Sequence, residues 1–367
     1  MLPGMSEPQN RLVIIGLFRH KVSGLSSSGR APSFIGGRQA PLLILGTGVQ
    51  VPSGLRMYFI ARTGPFRAFQ RRVGNTTFHI NSAYIGLEWI ARGKGKPDGL
   101  DINWTAPEYP RQAVDQARSL LHSAMLSRVF DELDSYLRAL AEEPWLVLTP
   151  DQRDILRRAV TKPGGGAYSL TERFLELRLD LDANAAVDMA MVATLVTWRN
   201  QTIHVRPADP SGRLRLDGLV EEQLTKEKVM LAKRYGGLDP EIMFGHMRKQ
   251  GPPKRKEIIG LVSAAQNLTR AIDGTLLRAA LPSAAEVENI ARAAIATKLC
   301  GEGTQNELKK LWGKDPAARC RRLRAILEEA GFVRSSEMEL PGLPATFIKD
   351  IVHLSLDDAL RILRATS

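Results

Sequence analysis

A chain of 367 residues, 44% hydrophobic and 25% charged, has the make-up of a soluble globular protein and the length for two domains or one elaborated domain. No uncharged apolar run of about eighteen residues occurs, which argues against a membrane span, and Cys300 and Cys320 alone exclude a disulfide framework or a cysteine-based metal site, so a reducing, cytoplasmic setting is expected. The net charge of +12 suggests a nucleic-acid partner, but ten positive charges lie between Pro8 and Leu87, a stretch without Asp or Glu, and the remainder holds 41 basic against 39 acidic residues.

Residues 1–56 form a leader rich in Gly, Ser, Pro and Arg, as in Gly24-Leu-Ser-Ser-Ser-Gly-Arg30, which is too poor in apolar patterning to build a domain. It reads either as a transit-peptide-like segment or as sequence ahead of a true start at Met57, with the second preferred. Residues 57–110 read as a small β-rich element, with strands at Tyr58-Phe-Ile60, Thr76-Thr-Phe-His-Ile80 and Tyr84-Ile-Gly-Leu-Glu-Trp-Ile90. Arg67, Phe69, Arg71, Arg72, Phe78 and Tyr84 alternate basic and aromatic character there, a pattern that suits RNA stacking but more often marks an edge hairpin packed on helices.

Helical periodicity starts after Pro110. Val114, Ala117, Leu121, Met125, Val129, Leu133, Tyr136, Leu137 and Leu140 recur three or four apart, defining a long amphipathic helix that Pro144 helps to end. Thr149-Pro150 opens a helix running to Ala159, Lys162-Pro-Gly-Gly-Gly166 breaks the chain, and a short helix spans about 170–181. Asp182 then caps a helix that is apolar on almost every face and ends in Trp198-Arg-Asn-Gln-Thr-Ile-His204. Arg206-Pro-Ala-Asp-Pro-Ser-Gly212 closes this unit, residues 111–215. Residues 216–367 form a further helical region, with helices over about 217–235, 240–249, 255–281, 283–300 and 315–330 and a last one over 355–364. Ser283-x-x-Glu286 reads as a capping box, and Gly251-Pro-Pro-Lys-Arg-Lys-Glu257 as a hinge whose Lys-Arg-Lys suits phosphate but more often marks a solvated linker.

The end of the apolar helix carries the clearest chemical signal. Arg199, Asn200 and His204 set polar groups where burial would make an unpaired one costly. Asn200 and His204 share a helix face, whereas Arg199 and His204 differ by roughly 140° and about 7.5 Å of rise in an ideal helix. A bland role exists for them too, because cations near a helix C-terminus cap its last carbonyls. The other histidines, His20, His79, His122, His246 and His353, show no metal spacing, and His122 reads as structural. Asp131, Glu132 and Asp134 read as a solvated helix face, and no Gly-x-Ser-x-Gly or phosphate-loop motif is present.

The run Arg199-Asn200-x-x-x-His204 at the end of a hydrophobic helix resembles the Arg-(polar)-x(4–6)-His signature of HEPN domains, over roughly residues 110–215. The resemblance implies a HEPN-like helical bundle over that span; with the small β-containing N-terminal element and the additional C-terminal helical region read from the patterns above, the expected fold is mainly α. It also implies a metal-independent endoribonuclease of toxin or phage-defence type that needs no cofactor. Its partners would be RNA, a second copy completing the cleft, and an antitoxin or regulatory protein. In that chemistry His204 is base or acid near neutral pH, Arg199 meets phosphate oxygens, and Asn200 orients the imidazole or the phosphate. The alternative is a non-catalytic helical interaction or regulatory protein with a degenerate HEPN module.

Overall fold

The fold is built around two long helices that pack on each other, α2 (Pro110–Glu142) and α5 (Ala183–Ile203). A computed structural model describes residues 57–203, 216–300, 305–335 and 340–365. The expected leader, residues 1–56, lies outside the described residues, as do His204 and Arg206.

β1 (Met57–Ile60) pairs antiparallel with β2 (Phe332–Ser335), Ile60 opposite Phe332. This agrees with the strand expected at Tyr58-Phe-Ile60 and adds a partner from near the far end of the chain. The other two expected strands are corrected: Thr76–Ile80 and Tyr84–Ile90 both lie within one helix, α1 (Gly64–Ala91). The deciding pattern is Phe66, Phe69 and Val73, buried at helical spacing against α2. The β-branched Thr76 and Thr77 satisfy their hydroxyls on the Arg72 and Val73 carbonyls one turn back, both at 2.9 Å. Thr63 caps the helix, its hydroxyl accepting from the Phe66 amide at 3.2 Å, and Pro65 fits the first turn.

The expected stripe of α2 is buried from Val114 to Leu140. α3 (Pro150–Arg157) and α4 (Leu170–Leu175) are short and each begins with a capping box, Thr149 with Gln152 and Ser169 with Glu172. Asp182 caps α5 through the Ala185 amide at 2.7 Å. The next long helix of the bundle comes from beyond the expected boundary near residue 215: α9 (Arg255–Ala280) packs on α5, α2 and α1. Gly260 brings α9 close, since a Cβ there would lie 3.0 Å from Leu238 and 3.7 Å from the Met191 methyl. The four long helices share one core, including Phe69, Leu133, Leu137, Met191, Leu195, Leu261, Leu268 and Ile272.

The helix expected over 217–235 divides at Glu227 into α6 (Gly218–Lys226) and α7 (Lys228–Arg234), followed by α8 (Pro240–Arg248). Beyond α9, helices α10 (Ala284–Leu299), α11 (Gln305–Trp312), α12 (Pro316–Glu329), α13 (Phe347–Val352) and α14 (Leu356–Arg364) pack on one another. α11 has no counterpart in the sequence expectations. Ser283 precedes α10, but its hydroxyl bonds the Glu286 carboxylate and caps no amide. Gly331, at φ +102°, turns the chain from α12 into β2 where a Cβ would meet the Arg62 carbonyl at 2.7 Å.

The solvated face expected at Asp131, Glu132 and Asp134 holds for Asp131, which is exposed, and is corrected for the other two. Glu132 is buried between Arg72 and Arg128, and Asp134 binds the fully buried Arg173 together with Arg158 at 2.8 Å and Arg138 at 3.0 Å. On the central helix, Asp188 is buried and accepts from Tyr235 Oη and from Arg234 at 2.6 Å. Desolvation pushes its carboxyl up to about 6.

Asp273 of α9, also buried, accepts from both the amide of Thr63, at 3.1 Å, and its hydroxyl, and so fixes the start of α1. Desolvation raises this carboxyl to about 6, against the opposing hydrogen bonds from Thr63. A carboxyl raised above its unfolded value favours folding while protonated, so its contribution is present below about pH 4 and is lost as pH rises through about 6. Asp273→Asn removes that titration. Going from pH 4 to pH 7 in urea melts, the wild type should lose stability relative to the variant by on the order of 1 to 3 kcal/mol; parallel pH profiles would contradict this.

Candidate functional site

Arg199 and Asn200 occupy the last turn of α5, and their position is set by the residue before them. Trp198 is fully buried, and its indole Nε1–H donates to the Gly251 carbonyl at 2.9 Å, in the turn between α8 and α9. Arg199 therefore leaves the core sideways. Its guanidinium carbon sits 4.6 Å from the centroid of the Phe130 ring on α2, and Nη1 donates to Asn200 Oδ1 at 3.1 Å. Among the described residues no carboxylate pairs with Arg199, and its buried Nε has no hydrogen-bond partner. Thr202 donates to the Arg199 carbonyl at 2.9 Å, satisfying one of the helix's final acceptors. Arg199 and Asn200 are both half-buried, within reach of solvent and held together by a direct bond. His204, the third expected site residue, lies outside the described residues.

The turn that receives Trp198 also builds a cleft of about 1170 Å³ between α1, α2 and the start of α9. The segment read as a hinge, Gly251–Glu257, enters α9 at Arg255, and its turn is bonded to two other helices. The Gly251 carbonyl accepts from Trp198, and the Pro253 carbonyl accepts from His122 Nδ1 at 2.5 Å. Because Nδ1 carries the donated proton, Nε2 of the neutral ring accepts the hydroxyl of Tyr84. Burial pushes the His122 imidazole below its usual range and the Tyr84 phenol above its own, so this chain of bonds is neutral near pH 7. His122 is structural, as expected, but it is also part of the cleft wall.

Across the same cleft, His246 of α8 donates from Nδ1 to buried Glu257 of α9, whose other oxygen accepts the Lys254 amide at 2.6 Å. The cleft thus joins two oriented imidazoles that lie 124 positions apart in sequence. No local spacing announces them. The one available signal is Pro252-Pro253, two residues that cannot donate from their backbone nitrogens and so leave carbonyls for side-chain donors.

The expected basic and aromatic alternation from Arg67 to Tyr84 is taken apart by the helix. Arg67 donates to the Glu328 and Glu329 carbonyls of α12, Phe69 is in the core, and Arg72 binds Glu132, leaving Tyr84 as the member that lines the cleft. Among the described residues, no group of three or more His, Cys, Asp or Glu side chains is placed to hold a metal ion, and no helix is long and apolar enough to cross a membrane.

Trp198→Phe keeps most of the ring and removes the one donor to Gly251. Leaving that carbonyl unpaired should cost about 1 to 3 kcal/mol in urea unfolding at pH 7. A loss below about 0.5 kcal/mol would show that the bond does not hold the turn.

No family model matches the chain, and no curated protein or solved structure matches it.

Proposed function

We propose that the end of α5 is the active site of a metal-independent endoribonuclease of HEPN type, with Arg199, Asn200 and His204 as its catalytic residues. The observation that carries this reading is the state of Arg199. Arg72 and the buried Arg173 are neutralised by carboxylates, Glu132 and Asp134, while Arg67, Arg153 and Arg319 give their donors to backbone carbonyls. Arg199 is held by an aromatic face and an amide oxygen, neither of which cancels its charge. Such a cation, fixed in direction and unneutralised among the described residues, suits the phosphoryl oxygens of a cleaving diester.

The chemistry is transesterification. The ribose 2′-oxygen loses its proton to a base and attacks phosphorus, while the 5′-oxygen departs with a proton from an acid, leaving a 2′,3′-cyclic phosphate and a 5′-hydroxyl. His204 takes the base or the acid role, and its copy in a second subunit supplies the other across a two-fold axis. Asn200, already bonded to Arg199, holds the guanidinium in register and presents its amide N–H₂ to phosphate or imidazole. A toxin or defence role, in which an antitoxin or regulatory protein restrains the activity, suits an enzyme of this kind.

The purified full chain should cleave single-stranded RNA in excess EDTA. His204→Ala should lower the rate ~10²- to 10⁴-fold and Arg199→Ala ~10²- to 10³-fold, with thermal melting unchanged. Absence of cleavage by the wild type, or an undiminished rate in His204→Ala, overturns the site and leaves the non-catalytic helical module as the better reading.

A further inference from the structure

We propose that the cleft between α1, α2 and the α8–α9 turn is a binding site for a nucleoside phosphate, either free or as one unit of an RNA strand. None of the residues assigned to RNA cleavage lines it, and it stands whether or not the end of α5 cuts RNA.

Five cationic side chains line the cleft against two carboxylates, Glu88 and Asp115. Both carboxylates are engaged: Glu88 binds Arg92 and Arg118, and Asp115 binds Arg118. Lys249, Lys254 and Arg255 are exposed at the rim and form no ion pair among the described residues. Three unneutralised cations at one edge of a concave site favour a polyanionic group such as a phosphate.

The wall opposite is apolar and aromatic. Trp89 and Ile85 of α1 are 52% and 74% exposed, and both line the cleft. A large exposed indole beside free cations is suited to an aromatic ring that stacks while its phosphate meets the charges. Between these two regions the polar groups are already oriented. The Tyr84 hydroxyl gives its proton to His122, so its oxygen is left to accept, and its ring is flanked by Arg118 and Arg255 at 6.0 and 5.4 Å. His246 donates from Nδ1 to Glu257, which fixes its ring in the cleft wall. The Tyr84 oxygen and this fixed ring, between an aromatic wall and a cationic rim, suit the hydroxyls of a ribose and the edge of a base. The volume, about 1170 Å³, is somewhat above the roughly 300–1,000 Å³ of small-ligand sites and leaves room for a nucleotide.

The test uses the full chain carrying His204→Ala, so that failure of the cleavage reading does not affect it. Calorimetric titrations with adenosine 5′-monophosphate and with a six-nucleotide single-stranded RNA separate the two sources of the same chemistry. Binding of either probe is expected, with the tighter one naming the source. Lys249→Ala with Arg255→Ala, and separately Trp89→Ala, should each weaken binding about tenfold or more while circular dichroism and melting stay unchanged. All three positions are exposed, so truncation leaves the core intact. Absence of binding by both probes, or binding that neither set of substitutions weakens, overturns the proposal.

Discussion

The turn between α8 and α9 is the constraint on which both proposed sites depend. It is short, has two prolines, and receives donors from two different helices: the indole of Trp198 on α5 at the Gly251 carbonyl, and the imidazole of His122 on α2 at the Pro253 carbonyl. A buried carbonyl left unpaired is costly, so each of these bonds fixes a side chain and the turn together. The first bond holds the end of α5 and decides where Arg199 emerges. The second orders the imidazole, and through it the Tyr84 hydroxyl, along the cleft. Glu257 completes the arrangement by taking the first amide of the turn's exit and the proton of His246.

A second principle concerns the basic residues. The net charge of +12 invites a picture of a protein covered in phosphate-seeking cations. Much of that charge is instead structural. Arg153 donates to the Ala141, Glu143 and Leu146 carbonyls and closes the C-terminal end of α2, Arg67 closes α12, and Arg173 is buried on Asp134. Arginine suits such roles because its fork of donors satisfies several acceptors while its stem packs against apolar surface. Against that background a cation with neither a carboxylate nor a backbone carbonyl as partner is informative. Arg199 on Phe130 and the trio Lys249, Lys254 and Arg255 at the cleft rim are such cations among the described residues.

Legibility in the sequence followed the range of the forces involved. Elements whose signals are local were visible in advance: α2 through its apolar stripe, α3 through Thr149-Pro150, α5 through Asp182 and its apolar run, and α9 and α12 within a residue or two of their ends. α1 was misread because Thr76, Thr77, Phe78 and Ile80 carry strand preference. The deciding burial of Phe66, Phe69 and Val73 depends on α2, which lies elsewhere in the chain. For the same reason Glu132 and Asp134 looked solvated, since the arginines that neutralise them come partly from α1 and from the segment after α3. The Arg199–Asn200 pair was legible because its residues are adjacent. The cleft was not, because Tyr84, His122, His246 and Glu257 meet only when four separate helices pack.

In the proposed mechanism RNA is cut by its own 2′-hydroxyl at the end of α5, under the charge of Arg199. An RNA substrate can be compared with the same sequence carrying 2′-deoxyribose at every position, in EDTA, with the wild-type chain. The RNA should be cleaved to 2′,3′-cyclic phosphate ends and the deoxy strand left intact, because the attacking oxygen is missing. Cleavage of both strands at similar rates would contradict this mechanism, since water would then be the nucleophile.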